Sequence, residues 1–162
     1  MRYRSTRDSS LRMPFSEVLL GGLSQDGGLY MPCEIPSLKI KDINSLENLS
    51  YQELTVELLY PFVSEELSLE EFQTAVFSAY KNFGNKDIVK LIEINEKRWV
   101  LELFHGPTLA FKDVAMQLLG SLLEHFSRKG GQEIAVLGAT SGDTGSAAIA
   151  ACSRYKNVKV FI

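Results

Sequence analysis

Cysteine and histidine are scarce in this chain. Cys33 and Cys152 are too few and too far apart to suggest a disulfide framework or a zinc site, and His105 and His125 add no ligand spacing. No metal is therefore expected. Basic charge is not in excess either: 17 Lys and Arg against 20 Asp and Glu leave a formal net charge of −3, without the positive footprint of a nucleic-acid-binding protein. No apolar run is long enough to span a bilayer, and Met1–Ser10 is polar, unlike a secretory signal. These absences point to a cytoplasmic protein that engages neither nucleic acid nor membrane. Asn48-Leu49-Ser50 matches a glycosylation acceptor, which in such a protein is a chance match. There is no internal repeat and no low-complexity tract.

What is present suffices to build a core. The 162 residues, 45% hydrophobic and 23% charged, fit one domain or two small pieces. Arg2–Thr6 has the character of a short strand, and Pro14–Leu20 that of a helix stopped by Gly21-Gly22. Ser24–Pro36 is rich in Gly and Pro and is expected to be a loop. Its Asp26-Gly27-Gly28 tract demands unusual backbone angles, either as a structural turn or as a loop reaching the active site of the domain that follows. Ser50-x-x-Glu53 and Ser68-x-x-Glu71 are capping boxes that predict two helices. Leu54, Leu58 and Leu59 mark the core face of one. Phe72, Val76, Ala79, Tyr80 and Phe83 mark the other, which Gly84 is placed to terminate. Composition turns polar at Gly84–Asp87, so a small, mainly helical domain is expected over residues 1–86 and a second domain over residues 87–162.

The second region alternates strand and helix. Ile88–Ile94 and Trp99–Phe104 predict a hairpin around Asn95-Glu96-Lys97, the second strand apolar enough to be buried. His105-Gly106-Pro107-Thr108 is turn chemistry, and helical spacing from Phe111 onward through Met116, Leu119, Leu123 and Phe126 ends with Arg128 and Lys129 before Gly130-Gly131. Lys112 then falls in the first turn of a helix. A cation there faces the positive end of the helix dipole, which favours the neutral amine that imine formation with an aldehyde requires, while the adjacent Asp113 acts in the opposite sense. An ordinary solvated lysine is the alternative.

A second stretch narrows the choice. Glu133–Gly138 predicts a strand, Ala139–Gly145 a small, glycine-rich turn, and Ser146–Ser153 a helix opening on small residues. Strand, glycine turn and helix start together form a generic anion cradle, to which the hydroxyls of Thr140, Ser141 and Thr144 add donors; a purely structural tight turn is the other reading. The spacing is not Gly-x-Gly-x-x-Gly, and no Lys follows Gly145, so a nucleotide site is not indicated. In open α/β sheets ligands bind beyond the carboxyl ends of strands, where both Lys112 and this turn lie. An amine and an anion cradle facing one pocket suit a cofactor aldehyde joined to an amino acid. Asn157–Ile162 begins one more strand. Two such strands do not finish a parallel layer, so a truncated domain is expected, with a short protein completed by a partner chain as the alternative.

The run Glu102-Leu103-Phe104-His105-Gly106-Pro107-Thr108-Leu109-Ala110-Phe111-Lys112-Asp113, followed by Gly138-Ala139-Thr140-Ser141-Gly142-Asp143-Thr144-Gly145-Ser146-Ala147-Ala148, closely resembles threonine synthase. Tyr3-Arg4-Ser5-Thr6-Arg7 and Asp26-Gly27-Gly28-Leu29-Tyr30-Met31-Pro32 look like the start of that family. The resemblance covers essentially the whole chain but not the whole enzyme. It implies the opening of a fold-type II pyridoxal 5'-phosphate α/β domain behind a small helical one.

By that resemblance, Lys112 carries pyridoxal phosphate as a Schiff base and moves protons during conversion of O-phosphohomoserine and water to threonine and phosphate. Thr140, Ser141, Gly142, Asp143, Thr144 and Gly145 match the loop that holds the substrate carboxylate. Asp143 stands where many relatives carry Asn, next to the cofactor's ring hydroxyl. Phe111 and His105 either line the pocket or serve packing and turn capping. The loop for the cofactor phosphate and the group meeting the pyridine nitrogen lie beyond Ile162 in relatives, so the 162-residue chain alone is expected to be inactive. Two other outcomes stay open: a phospho-lyase that releases a keto acid, and a non-catalytic interaction protein. The oligomeric state is not legible.

Overall fold

In chain order the elements are β1 (Tyr3–Ser5), α1 (Phe15–Gly21), β2 (Tyr30–Pro32), α2 (Ile40–Ser45), α3 (Tyr51–Val63), α4 (Leu69–Tyr80), β3 (Lys90–Asn95), β4 (Arg98–Glu102), α5 (Asp113–Gly130), β5 (Ile134–Leu137), α6 (Asp143–Cys152) and β6 (Val158–Phe161). The structure is a computed structural model that describes residues 1–162, apart from the side chains of residues 40 and 41. Contacts divide it into two compact units, Met1–Thr74 and Ala75–Ile162, the division falling within α4.

Reciprocal caps open both long helices of the first unit. Ser50 N–H donates to Glu53 Oε2 at 2.8 Å while Glu53 N–H donates to the Ser50 hydroxyl at 3.3 Å, and Ser68 and Glu71 repeat the exchange at 2.7 and 3.2 Å. Each pair satisfies donors that a helix start otherwise leaves bare. The face of α3 differs from expectation. Thr55, Val56 and Val63 are its buried residues, whereas Leu59 is exposed and Leu54 and Leu58 are only half-buried. Thr55 tolerates burial because its hydroxyl donates to the Tyr51 carbonyl at 2.7 Å within the same helix. With Tyr3, Leu67 and Phe72 these residues form the unit's core. α1 begins after Pro14 and stops at Gly22, as its sequence predicts.

The tract expected to be a loop, Ser24–Pro36, contains a strand. β2 pairs antiparallel with β1, Tyr3 opposite Pro32 and Ser5 opposite Tyr30. A three-residue strand has too little periodicity to be read locally; its partner makes it. Before it, Asp26 Oδ1 accepts from Gly28 N–H and from the Ser5 hydroxyl, each at 2.8 Å, around Gly27 at φ 76°. Those two donors, Gly28 N–H first, hold the Asp26 carboxyl below the usual carboxylate range.

In the second unit Val76, Ala79 and Tyr80 are buried as expected, but α4 ends at Tyr80 and not at Gly84. Gly84 has another role: its N–H donates to the His105 carbonyl at 2.8 Å. β3 begins at Lys90 rather than Ile88, a buried residue at φ 56° that turns the chain into the strand. β3 and β4 form the expected antiparallel hairpin, Leu91 opposite Leu101. It is not buried: Trp99 is 53% exposed, and Leu91, Ile94, Leu101 and Phe104 are exposed as well. Apolar composition suffices for strand formation, whereas burial needs a covering layer that the described residues do not supply.

α5 runs 18 residues and buries Leu118, Leu122, Leu123 and Phe126. Gly131 ends it at φ 65°, with Arg128 and Lys129 at the negative end of its dipole. β5 and β6 pair in parallel, Ile134 opposite Val158, joined through α6. α6 approaches α5 closely because Gly120 has no side chain: a Cβ there would lie 2.7 Å from the Ala151 carbonyl oxygen. Ala147, Ala148 and Ala151 complete that seam.

The pH response of the first unit follows from Tyr3. Its hydroxyl donates to the Phe62 carbonyl at 2.8 Å, and burial, with the nearby Glu66 carboxylate, pushes its pKa up to about 12. A raised folded-state value means the contribution is complete below pH ~10 and is lost as pH climbs through ~12. Urea midpoints measured at pH 8 and pH 11.5 should therefore fall for the native chain, and the fall should be smaller for Tyr3→Phe.

Candidate active site

Lys112 stands one residue ahead of where its sequence predicts. It is the N-cap of α5, at φ −62° and ψ −24°, and its carbonyl accepts the helix's first α-type bond, from Met116 N–H at 2.9 Å. The helix starts late because Asp113 is held from outside it. Asp113 is 0% exposed. Its Oδ2 accepts Thr108 N–H at 2.8 Å, and the Thr108 hydroxyl lies 2.9 Å from each carboxylate oxygen. These bonds satisfy a charged group that burial would otherwise penalise.

The lock needs a glycine. A Cβ on Gly106 would come within 2.6 Å of Asp113 Oδ2, so no other residue lets the turn lie this close to the helix start. Leu109, at φ 63°, completes the reversal between Thr108 and α5. The result is a side chain at Lys112 that leaves a fixed backbone and is only half-buried. Its Nζ sits 4.4 Å from the centroid of the Phe111 ring, which is 59% exposed. Among the described residues Lys112 has no hydrogen-bond or ion-pair partner.

The glycine-rich turn is shorter than expected. α6 begins at Asp143, not Ser146, so Asp143, Thr144 and Gly145 form its first turn and only Gly138–Gly142 lie between it and β5. Gly142, at φ 148°, makes the sharp entry that hides the boundary from helical periodicity. Thr140 organises the turn: its Oγ1 accepts Gly142 N–H at 3.2 Å and Gly145 N–H at 3.0 Å. Two of the amides expected to face an anion are thus already bonded. With its oxygen accepting from both, the Thr140 hydroxyl still has a proton to donate, and Ser141, Asp143 and Thr144 are exposed beside it.

The structure therefore brings together Thr108 with Asp113, Lys112 with Phe111, and Thr140 with Gly142 and Gly145. No hydrogen bond or ion pair among the described residues joins the Lys112 group to the glycine turn. Sequence reasoning missed the pairing of His105 Nε2 with Glu102 Oε2 at 2.9 Å, although i, i+3 acidic and imidazole residues were its signal. A cavity of about 340 Å³ lies elsewhere, at the carboxyl end of α5, lined by Ser127, Arg128, Gly131, Gln132, Glu133 and Asn157. None of these is a candidate site residue. Among the described residues no group of three or more His, Cys, Asp or Glu is arranged to hold a metal ion, and no helix is long and apolar enough to cross a membrane.

Comparison with known proteins finds similarity in both sequence and fold. A family model described as threonine synthase N terminus matches residues 2–80. The threonine synthase of Pseudomonas aeruginosa is 47% identical over 162 residues, which is 100% of this chain and 34% of that protein. That of Schizosaccharomyces pombe is 43% identical, over 99% of this chain and 33% of its own length. A crystal structure of PLP-bound threonine synthase from Brucella melitensis superposes with a TM-score of 0.96 at 43% identity, covering 100% of this chain and 35% of that one. The chain thus spans about a third of the length of the relatives it matches.

Removing the Asp113 carboxylate tests the lock directly. Asp113→Ala leaves the Thr108 N–H without an acceptor and should lower unfolding free energy by about 1–3 kcal/mol in urea titration. Thr108→Ser keeps both donors and should change it by less than about 1 kcal/mol.

Proposed function

This chain belongs to the threonine synthase family, as its amino-terminal portion, and on that premise we propose that the protein converts O-phosphohomoserine and water to threonine and phosphate using pyridoxal 5'-phosphate. The observation that carries the reading is the amine of Lys112, unpaired among the described residues and presented from a backbone that the Asp113–Thr108 bonds hold in place. The residues present fit the cofactor. A primary amine without a competing carboxylate is free to bond an aldehyde, and the exposed Phe111 ring beside it offers a flat apolar surface. We assign residues 1–86 to the domain that precedes the cofactor domain, and residues 87–162 to the cofactor domain's beginning.

Roles for the chain's own groups follow from their chemistry. Pyridoxal phosphate, when bound, supplies an electron sink for negative charge left at the substrate α carbon. Lys112 would hold the cofactor through its amine, and that amine, when free, would take the proton from the substrate α carbon and later return one. Phosphate leaves the γ carbon and water adds at the β carbon, so the same amine serves several proton transfers. The Thr140 hydroxyl, with its oxygen occupied by two backbone donors, has its proton to give to the substrate carboxylate; Ser141 and Thr144 add hydroxyl donors, and Gly142 and Gly145 keep the backbone close. Asp143, exposed in the first turn of α6, would be the group to meet the cofactor's ring hydroxyl. The proposed reaction acts in the cytoplasm on a small-molecule amino-acid phosphate, a reading that assigns the protein neither nucleic acid nor membrane as partner.

Product analysis with O-phosphohomoserine tests this assignment. The protein in its complete natural form should release threonine and phosphate in equal amounts, and Lys112→Ala should lower the rate by at least about a thousandfold. The isolated 162-residue chain should release neither. A keto acid in place of threonine would contradict the proposed outcome.

A further inference from the structure

We propose that Glu102 and His105 form a positioning pair that aims Lys112 at the cofactor, an inference that rests on the pyridoxal-phosphate reading above. Glu102 ends β4, and its Oε2 lies 2.9 Å from His105 Nε2; the side chains are only 24% and 18% exposed. An ion pair or hydrogen bond at that depth is less screened by solvent than one at the surface.

His105 is anchored on three sides. Its ring bonds Glu102, it packs against Phe104 with centroids 4.8 Å apart, and its carbonyl accepts Gly84 N–H at 2.8 Å. The next residue is Gly106, whose Cα lies against the Asp113 carboxylate. The hairpin therefore connects to the start of α5 through a single fixed joint. On one side of the joint Glu102 holds His105, and on the other Asp113 holds Thr108 and crowds Gly106. Lys112 immediately precedes Asp113, so a change in the direction in which β4 feeds this turn is a change in where the amine points. Glu102 and His105 act through the backbone of the turn, without touching the reacting atoms.

The test is the rate at which pyridoxal phosphate is captured by the cofactor-free protein in its complete natural form, followed by absorbance, alongside thermal unfolding of the same cofactor-free samples. His105→Ala and Glu102→Ala should each slow capture about tenfold or more, as expected for a misplaced reacting group. Their unfolding midpoints should stay within a few degrees of the native value. Glu102→Gln, which preserves the hydrogen bond without the charge, should restore much of the rate. His105→Phe, which keeps a ring against Phe104 but cannot bond Glu102, should slow capture as His105→Ala does and keeps the proposal testable if an alanine variant fails to fold. Undiminished capture in the alanine variants and in His105→Phe would overturn the proposal and leave the functional reading intact. Capture that falls only in step with the unfolding midpoint would overturn it too, in favour of a structural role. Absence of capture by the native protein would overturn the functional reading itself, and this pair's role with it.

Discussion

Asp113 is a carboxylate with no exposure to water, and its bonds to Thr108 decide where the helix it opens begins. A buried charge is costly unless its lone pairs are met by donors, and here one residue five positions earlier directs two at them, its backbone N–H and its hydroxyl. Meeting them folds Gly106–Thr108 back against the helix start. Lys112 lies between the folded turn and the helix, and its side chain inherits their rigidity. The same bonds engage Asp113 away from Lys112, so the carboxylate beside the lysine in sequence is not its partner in space. The amine is left beside an aromatic ring.

The glycine turn uses a comparable device with different chemistry. Where Asp113 accepts from one residue, the Thr140 hydroxyl accepts from two, and it closes Ala139–Gly145 into a shape that no periodic pattern encodes. Small residues then let α6 lie on α5: Gly120 against Ala151, with the alanines of α6 filling the seam. Packing at that distance restricts relative motion of the two helices whose starts carry the candidate site. Rigidity of this kind suits the role proposed for Lys112, the delivery of protons to more than one atom.

Much of the framework was legible in the sequence. The two capping boxes formed with both bonds made, α5 ran from its turn to its left-handed glycine, and the strand after Asn157 paired in parallel with the strand after Glu133. These are local signals, in which side chain and backbone of near neighbours settle the outcome. What failed depended on distant partners. β2 exists because β1 pairs with it, Gly84 bonds His105 rather than ending a helix, and α3 turns Thr55, Val56 and Val63 inward where a leucine stripe was expected. The exposure of Trp99 belongs to the same class, since strand propensity says nothing about which layer covers a strand. At the candidate site, the sequence proposes residues but not their geometry. Lys112 and the glycine turn could be named from their residues, but the start of α6 at Asp143 and the service of the Thr140 oxygen to two amides came only with the fold.

The central claim is that Lys112 is the residue that bonds the cofactor. Borohydride reduction of the natural protein with pyridoxal phosphate, followed by intact mass and peptide mapping, tests it most directly. The account predicts one reduced cofactor per chain, on the peptide containing Lys112. An adduct on another lysine, or a native protein that traps none, would contradict it.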